Sequence, residues 1–211
     1  MDGLVILLVV ALVVGMVCFA TGIAVGRFIL VNRNMGEALV ANTLAHLSCP
    51  YVLINNVTLP TEGGTTQIDH ILVTESGIFI IETKHYRGWI LGHPNDTHWT
   101  QVIYQKKSRF RNPLRQNYGH VRTVQSLFKL PDTAFKGLVV FTGDAQFKTE
   151  LGPQVIHLND LLGFVQRPWE TVLDERQMAY VAGRIEMKRL RRSVETDEYH
   201  LSYVRRRLSR A

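Results

Sequence analysis

Cysteine is scarce in this 211-residue chain, with Cys18 and Cys49 the whole complement. Cys18 falls in an apolar N-terminal run, so Cys49 is the lone thiol of the remainder and a disulfide framework there is excluded. No CxxC or HxxxH pair occurs on one element, so His70, His85 and His120 do not read as a zinc centre. Internal repeats and low-complexity segments are also missing. The hydrophobic and charged fractions, 46% and 20%, belong to a folded chain rather than a disordered or fibrous one. One ordinary domain plus an appendage is the expectation from length.

Charge is absent from residues 3–26, GLVILLVVALVVGMVCFATGIAVG. As a helix at about 1.5 Å per residue this run would extend roughly 36 Å, enough to cross a bilayer. The basic leader of a cleaved signal peptide is lacking too, because only Asp2 precedes the run. A soluble helix apolar on every face would need a large core to hide in. A single-pass anchor is therefore expected, and Arg27 and Arg33 behind it place the rest of the chain in the cytoplasm by the positive-inside rule. Gly22 and Gly26 form a GxxxG that would let two anchors pack as a homodimer.

The net charge of +6 is uneven, since residues 184–211 hold nine Lys or Arg against four Asp or Glu. Leu201, Val204 and Leu208 recur there at helical spacing beside Arg205, Arg206, Arg207 and Arg210. That pattern reads either as a basic amphipathic segment drawn to acidic lipid or phosphate, or as a solvated helix face.

Between these ends the elements alternate. Leu39, Val40, Leu44 and Leu47 step at helical intervals from Met35 until Pro50 ends the helix. Residues 51–57 read as a strand, and a loop with Pro60, Gly63 and Gly64 leads to a hairpin of 67–74 and 78–84. Short strands are expected at 88–91 and 99–104, and a helix from Asn112 and Pro113 to about Leu127. Strands at 136–141 and 154–157, a short helix capped by Asn159 or Asp160, and a longer one from Asp174 to about Arg192 complete the pattern. Trp89 and Trp99 are expected to pack the sheet. The fold class is α/β, a sandwich around a mixed sheet. Three segments follow: a membrane anchor and juxtamembrane stretch at 1–34, a domain at 35–170 and a basic helical tail at 171–211.

The hairpin IDHILVTESGIFIIETKHY carries Asp69, Glu82 and Lys84 within its apolar alternation. A two-residue loop at Glu75 and Ser76 sets Asp69 opposite Glu82, with Lys84 on the same face; a bulge at Gly77 would make the three diagonal neighbours. Two carboxylates side by side repel, and a divalent cation resolves that cost. All-oxygen ligands suit Mg²⁺, with Mn²⁺ as an alternative, and a nearby lysine could hold a water and stabilise charge on phosphorus. An isolated ExK, by contrast, is an ordinary salt bridge. Lys106, Lys107, Arg109, Arg111 and Arg115 precede or flank Gln116, and read as a clamp on a nucleic-acid backbone or as a plain solvated loop.

The strings GEALVANTL at 36–44, TQIDHILVTESGIFIIETKHYRGWI at 66–90, Trp99 with Gln101, and NPLRQNYGHV at 112–121 resemble the nuclease-related domain family, a branch of the PD-(D/E)XK nucleases. The resemblance covers about residues 36–130. It implies a restriction-endonuclease-like mixed sheet flanked by helices. It also implies a metal site of Asp69 and Glu82, Lys84 positioning the nucleophilic water, and Glu37 and Gln116 approaching the same site. His120 stands where the tyrosine of the QxxxY element of RecB-like nucleases would be, among the nucleic-acid-binding residues. Together with the apolar run, the expected function is a membrane-anchored, cytoplasmic, divalent-metal-dependent nuclease acting on DNA in preference to RNA. A non-catalytic membrane-tethered module that binds nucleic acid or another anionic partner is the alternative.

Overall fold

The computed structural model describes residues 35–191, 193, 196 and 198–202. The expected membrane span at 3–26, the glycine pair Gly22 and Gly26, and Val204 to Arg210 of the basic tail lie outside the described residues. Among the described residues no helix is long and apolar enough to cross a membrane.

Helix α1 (35–44) leads into a five-stranded mixed sheet of order β1-β2-β3-β7-β9, built from β1 (Tyr51–Thr61), β2 (Gly64–Thr74), β3 (Gly77–Lys84), β7 (Phe135–Phe141) and β9 (Val155–His157). The first three strands run antiparallel; β7 is parallel to β3 and β9 to β7. Pro60, expected in a loop, lies within β1, which extends to a tight turn at Glu62 and Gly63. A proline is tolerated there because β1 is an edge strand whose ladder can spare one amide. Thr74 pairs with Gly77, so the hairpin takes the two-residue loop. Gly77 has φ of +127°, and a Cβ there would meet the Ala134 carbonyl at 2.5 Å.

Apolar side chains leave both faces of this sheet. Leu72, Phe79, Ile81, Leu138 and Val140 pack against Val40 and Leu44 of α1 and against Leu161 and Phe164 of the short α3 (Leu161–Val165). Ile71, Val73, Ile78 and Ile80 pack on the opposite side against Val124 of α2 (Pro113–Gln125) and Met178, Val181 and Ile185 of α4 (Glu175–Lys188). Asp174 and Gln177 form a capping box that starts α4. The segment from 171 onward thus begins with residues embedded in the same core as the central strands, since Leu173 is buried there as well.

A second mixed sheet was only half legible in sequence. Its order is β6-β5-β4-β8, from β4 (Gly88–Leu91), β5 (His98–Ile103), β6 (Lys106–Arg111) and β8 (Ala145–Phe147). Strand β6 occupies residues expected to be a loop or clamp; its alternation of Lys, Ser and Arg around Phe110 has no apolar face to signal a strand. Ile90 and Trp99 of this sheet share a core with Val139 and Phe141 of β7, so it packs on the α2 side of the first sheet.

Helix α2 lies close over β7 because residue 137 is glycine. A Cβ on Gly137 would come 3.2 Å from both Asn117 Nδ2 and Val121 Cγ2. Asn117 uses that proximity, its amide donating to the carbonyls of Ile80 (3.0 Å) and Leu138 (3.1 Å) across two strands. Gly137→Val should push α2 outward and cost about 1–3 kcal/mol of overpacking. Urea denaturation measures that cost, and an unchanged midpoint would mean that α2 has room to spare.

Candidate active site

Asp69 sits where its strand loosens from both neighbours. The β1–β2 register is in phase at Asn55↔His70 and Val57↔Ile68 but skips Asn56 with Asp69, and Asn56 takes a φ of 53°. The β2–β3 ladder ends at His70↔Ile81, one step short of Asp69 and Glu82. The Thr83 amide donates to Asp69 Oδ2 at 2.8 Å, so a carboxylate takes a main-chain donor at the point where the ladder stops. Beyond it β3 continues with β7 as far as Lys84↔Phe141, which keeps Glu82 and Lys84 on a rigid strand.

Helix α2 supplies the facing side of the site. Asn112 caps it by accepting from the Leu114 amide at 2.9 Å, while its own amide donates to the carbonyls of Pro94 (2.9 Å) and Asp96 (2.7 Å). One buried side chain therefore joins the β4–β5 loop to the helix start. Gln116 and His120, one helical turn apart, then address the strand pair. Lys84 Nζ donates to Glu82 Oε1 at 2.6 Å and to Gln116 Oε1 at 3.2 Å, and His120 Nδ1 lies 3.4 Å from Glu82 Oε2. Asp69, Glu82 and His120 are buried and Lys84 is partly so.

Burial would push the Lys84 ammonium down, but Glu82 and, more weakly, Asp69 pull it up, and the net displacement is upward. Lys84 is therefore a cation at neutral pH, able to donate hydrogen bonds rather than accept a proton. Tyr86, which the sequence reading did not single out, belongs to this environment. Burial raises its phenol, Lys84 lowers it and Glu82 raises it, so the ring lies within electrostatic reach of both. It is wedged edge-on against Phe110 at 4.7 Å and Phe141 at 6.2 Å, between the site and the second sheet. Its place in KHYRG, directly after the ExK triplet, was the available signal.

His70 faces the other side of β2 and is paired with Asn55 Oδ1 at 2.8 Å. Burial pulls its imidazole down to about 4 against a smaller opposing effect of Asp69. With the folded pKa below the unfolded 6.5, the stability it contributes is full above about pH 6.5 and is lost as pH falls towards 4. Unfolding free energy at pH 5 should lie about 2 kcal/mol below its value at pH 7.5 on account of this residue. Urea titrations of wild type and His70→Gln check this, because the variant should lose that part of the pH slope.

Asp69, Glu82, Lys84, Gln116 and His120 come together on one face. His120 is buried against Glu82 rather than offered to solvent, which leaves little surface on which a base could stack. Glu37 is buried on α1, next to Gly36, where a Cβ would meet His85 and Thr142 at 2.9 Å and Thr83 at 3.3 Å. The five basic residues do not form one clamp. Within β6 alternation puts Lys107, Arg109 and Arg111 on one face and Lys106 with Phe110 on the other, whereas Arg115 is exposed on α2. Trp99 is buried, with its indole donating to the His93 carbonyl at 2.8 Å, but Trp89 is half exposed instead of packed.

Among the described residues no three His, Cys, Asp or Glu side chains converge as a metal cage. The donor set still suits a hard divalent cation, because Mg²⁺ commonly takes only one or two protein carboxylates and completes its shell with water and phosphate oxygen. Asp69 and Glu82 are two such carboxylates, both at most 3% exposed, on strands that part at that point.

An uncharacterized protein of Bacillus anthracis is 48% identical over 96 residues, a stretch that makes up 44% of this chain and 45% of that protein. The chain thus spans less than half the length of this curated relative. No solved structure matches. The family model of the nuclease-related domain matches residues 32–142, which include α1, the Asp69–Glu82–Lys84 hairpin and α2. This chain belongs to the nuclease-related domain family.

Proposed function

We propose that the chain is a membrane-tethered, divalent-metal-dependent nuclease that hydrolyses phosphodiester bonds of DNA on the cytoplasmic side of a membrane. The observation that carries this reading is the Lys84 ammonium held between Glu82 at 2.6 Å and Gln116 at 3.2 Å, beside a carboxylate, Asp69, at a break in the sheet. A pair placed only for stability would not need a second buried acid or a helix side chain reaching for the same lysine. The uncharged run at 3–26, followed by Arg27 and Arg33, supports the tether and its orientation.

Asp69 and Glu82 would hold Mg²⁺ or Mn²⁺, which supplies Lewis acidity towards phosphate and a more acidic water when bound. Gln116 keeps the Lys84 ammonium extended over Glu82. From there the one remaining N–H of Lys84 donates to a phosphate oxygen, stabilising charge as it develops in the transition state. His120 fixes the second oxygen of Glu82, and Arg115 on the exposed side of α2 holds a neighbouring phosphate.

The test is cleavage of end-labelled single- and double-stranded DNA and RNA by the full chain in detergent micelles, with Mg²⁺, Mn²⁺ or EDTA. Metal-dependent cutting of DNA is expected. The second reading is a binding module without catalysis, favoured by the closed Lys84–Glu82 pair, which already neutralises one acid. Binding without cutting under any metal, unchanged when Glu82 is replaced, would establish it.

A further inference from the structure

We propose that the outward face of the β6-β5-β4-β8 sheet is a stacking platform for single-stranded DNA, with Trp89 under a base and Lys107, Arg109 and Arg111 along the phosphates. The inference rests on the reading of the chain as a DNA-acting protein and adds a surface separate from the carboxylate site.

Register and alternation define the face. Lys107, Val102, Trp89 and Gln146 fall in one row across the four strands, and Arg109, Thr100 and Leu91 in the next. The intervening residues Ile90, Trp99, Phe110 and Phe147 point inward and belong to the core between the sheets. The outward set covers no other element of that core. Trp89 is 50% exposed there, with Lys148 Nζ 4.9 Å from its ring centroid on one side. The four strands, GWIL, HWTQVI, KKSRFR and AQF, contain no Asp or Glu.

Cations on an edge strand have a simpler use, since they discourage pairing with another chain's edge. That accounts for Lys107, Arg109 and Arg111 on β6 but not for an exposed indole two strands away, or for the missing acids. An exposed indole takes a base on its face, here in exchange for the Lys148 ammonium that lies over the ring, and neighbouring cations take the backbone. Alternate residues of β6 repeat at about 6.5 Å, a step comparable to that between phosphates of an extended single strand. A duplex would not fit this use, because its bases are already stacked. Leu91 and Val102, beside Trp89, give the sugars an apolar bed that would leave a ribose 2′-hydroxyl without a partner, which favours DNA. Arg111 adjoins Asn112, the cap of α2, and the first turns of α2 carry Arg115 and Gln116. A strand that follows the β6 cations is therefore led towards Lys84.

The experiment measures anisotropy of fluorescein-labelled oligo-dT, oligo-rU and duplex DNA with the full chain in micelles and EDTA. Trp89→Ala should weaken oligo-dT binding by about 5- to 150-fold, the range for loss of one stacked base. Trp89→Phe should restore most of it, and duplex binding should change little. Arg109→Gln should lower the salt slope by about 0.7. Unchanged oligo-dT affinity in Trp89→Ala overturns the platform while leaving the nuclease reading standing. Tighter binding of oligo-rU than oligo-dT overturns the choice of DNA. Conversion of a dimer to a monomer by Trp89→Ala, with DNA binding intact, would make the face an interface between copies and also overturn it. Absence of any nucleic-acid binding by the wild type overturns the platform and the DNA-acting reading together.

Discussion

Glu82→Gln is expected to lower metal-dependent DNA cleavage by about 10²–10³-fold, the loss typical of removing one charge-stabilising group from a reacting centre. The substitution keeps the shape of the side chain and one accepting oxygen for Lys84, the other position becoming an amide donor towards His120, so the hairpin and α2 should stay in place. What it removes is a negative charge. Lys84 then loses the largest influence that raises its pKa, while burial, which lowers it, stays. The ammonium should consequently titrate lower in the variant than in the wild type, where it is raised. Two readouts separate the causes. Isothermal titration should show weaker Mn²⁺ binding, and residual activity should decline with rising pH sooner than in the wild type as Lys84 deprotonates. Full activity in Glu82→Gln would remove Glu82 from the chemistry and favour the binding-module reading.

Lys84→Met should be the largest single perturbation of stability in metal-free buffer. The methionine fills most of the same volume, yet Glu82 is left buried without the cation that sits 2.6 Å from its oxygen. Breaking a buried pair from one side costs about 3–5 kcal/mol, and the partial exposure of Lys84 moves the expectation to the lower end of that range. A divalent cation should reverse much of this loss. With two carboxylates and no ammonium in competition, added Mn²⁺ binds the folded state and stabilises it by mass action. The Tm increment on adding Mn²⁺ should therefore be larger in Lys84→Met than in the wild type, although the variant cuts DNA about 10²–10³-fold more slowly. Equal increments would show that Lys84 and the metal do not meet at Glu82.

Much of the central sheet could be read from sequence because its forces are local. The Thr74–Gly77 turn, the apolar alternation of β2 and β3, and the Asn112–Pro113 start of α2 each depend on a few neighbouring residues. The two-residue loop was one of two open registers, and the β2–β3 pairing decides for it by bringing Thr74 opposite Gly77. The second sheet was less legible. Strand β6 is polar at every position but Phe110, so no hydrophobic period marks it, and β8 is only three residues long. Such strands exist because neighbours with apolar inner faces, Ile90 and Trp99, offer them a ladder.

The sequence by itself determined which chemical groups are present: two acids and a lysine at alternating places on a hairpin, a glutamine one helical turn before a histidine, and a cationic stretch between them. Periodicity alone sets which side of a strand each residue occupies. Tertiary structure decided what meets what. Gly137 lets α2 close on β7, and that approach, spanning residues far apart in the chain, puts Gln116 on Lys84 and His120 on Glu82. It also parted β2 from β3 at Asp69, hid His120, buried Trp99 and left Trp89 in the open. Burial and contact depend on packing between elements distant in sequence, and no local pattern specifies them.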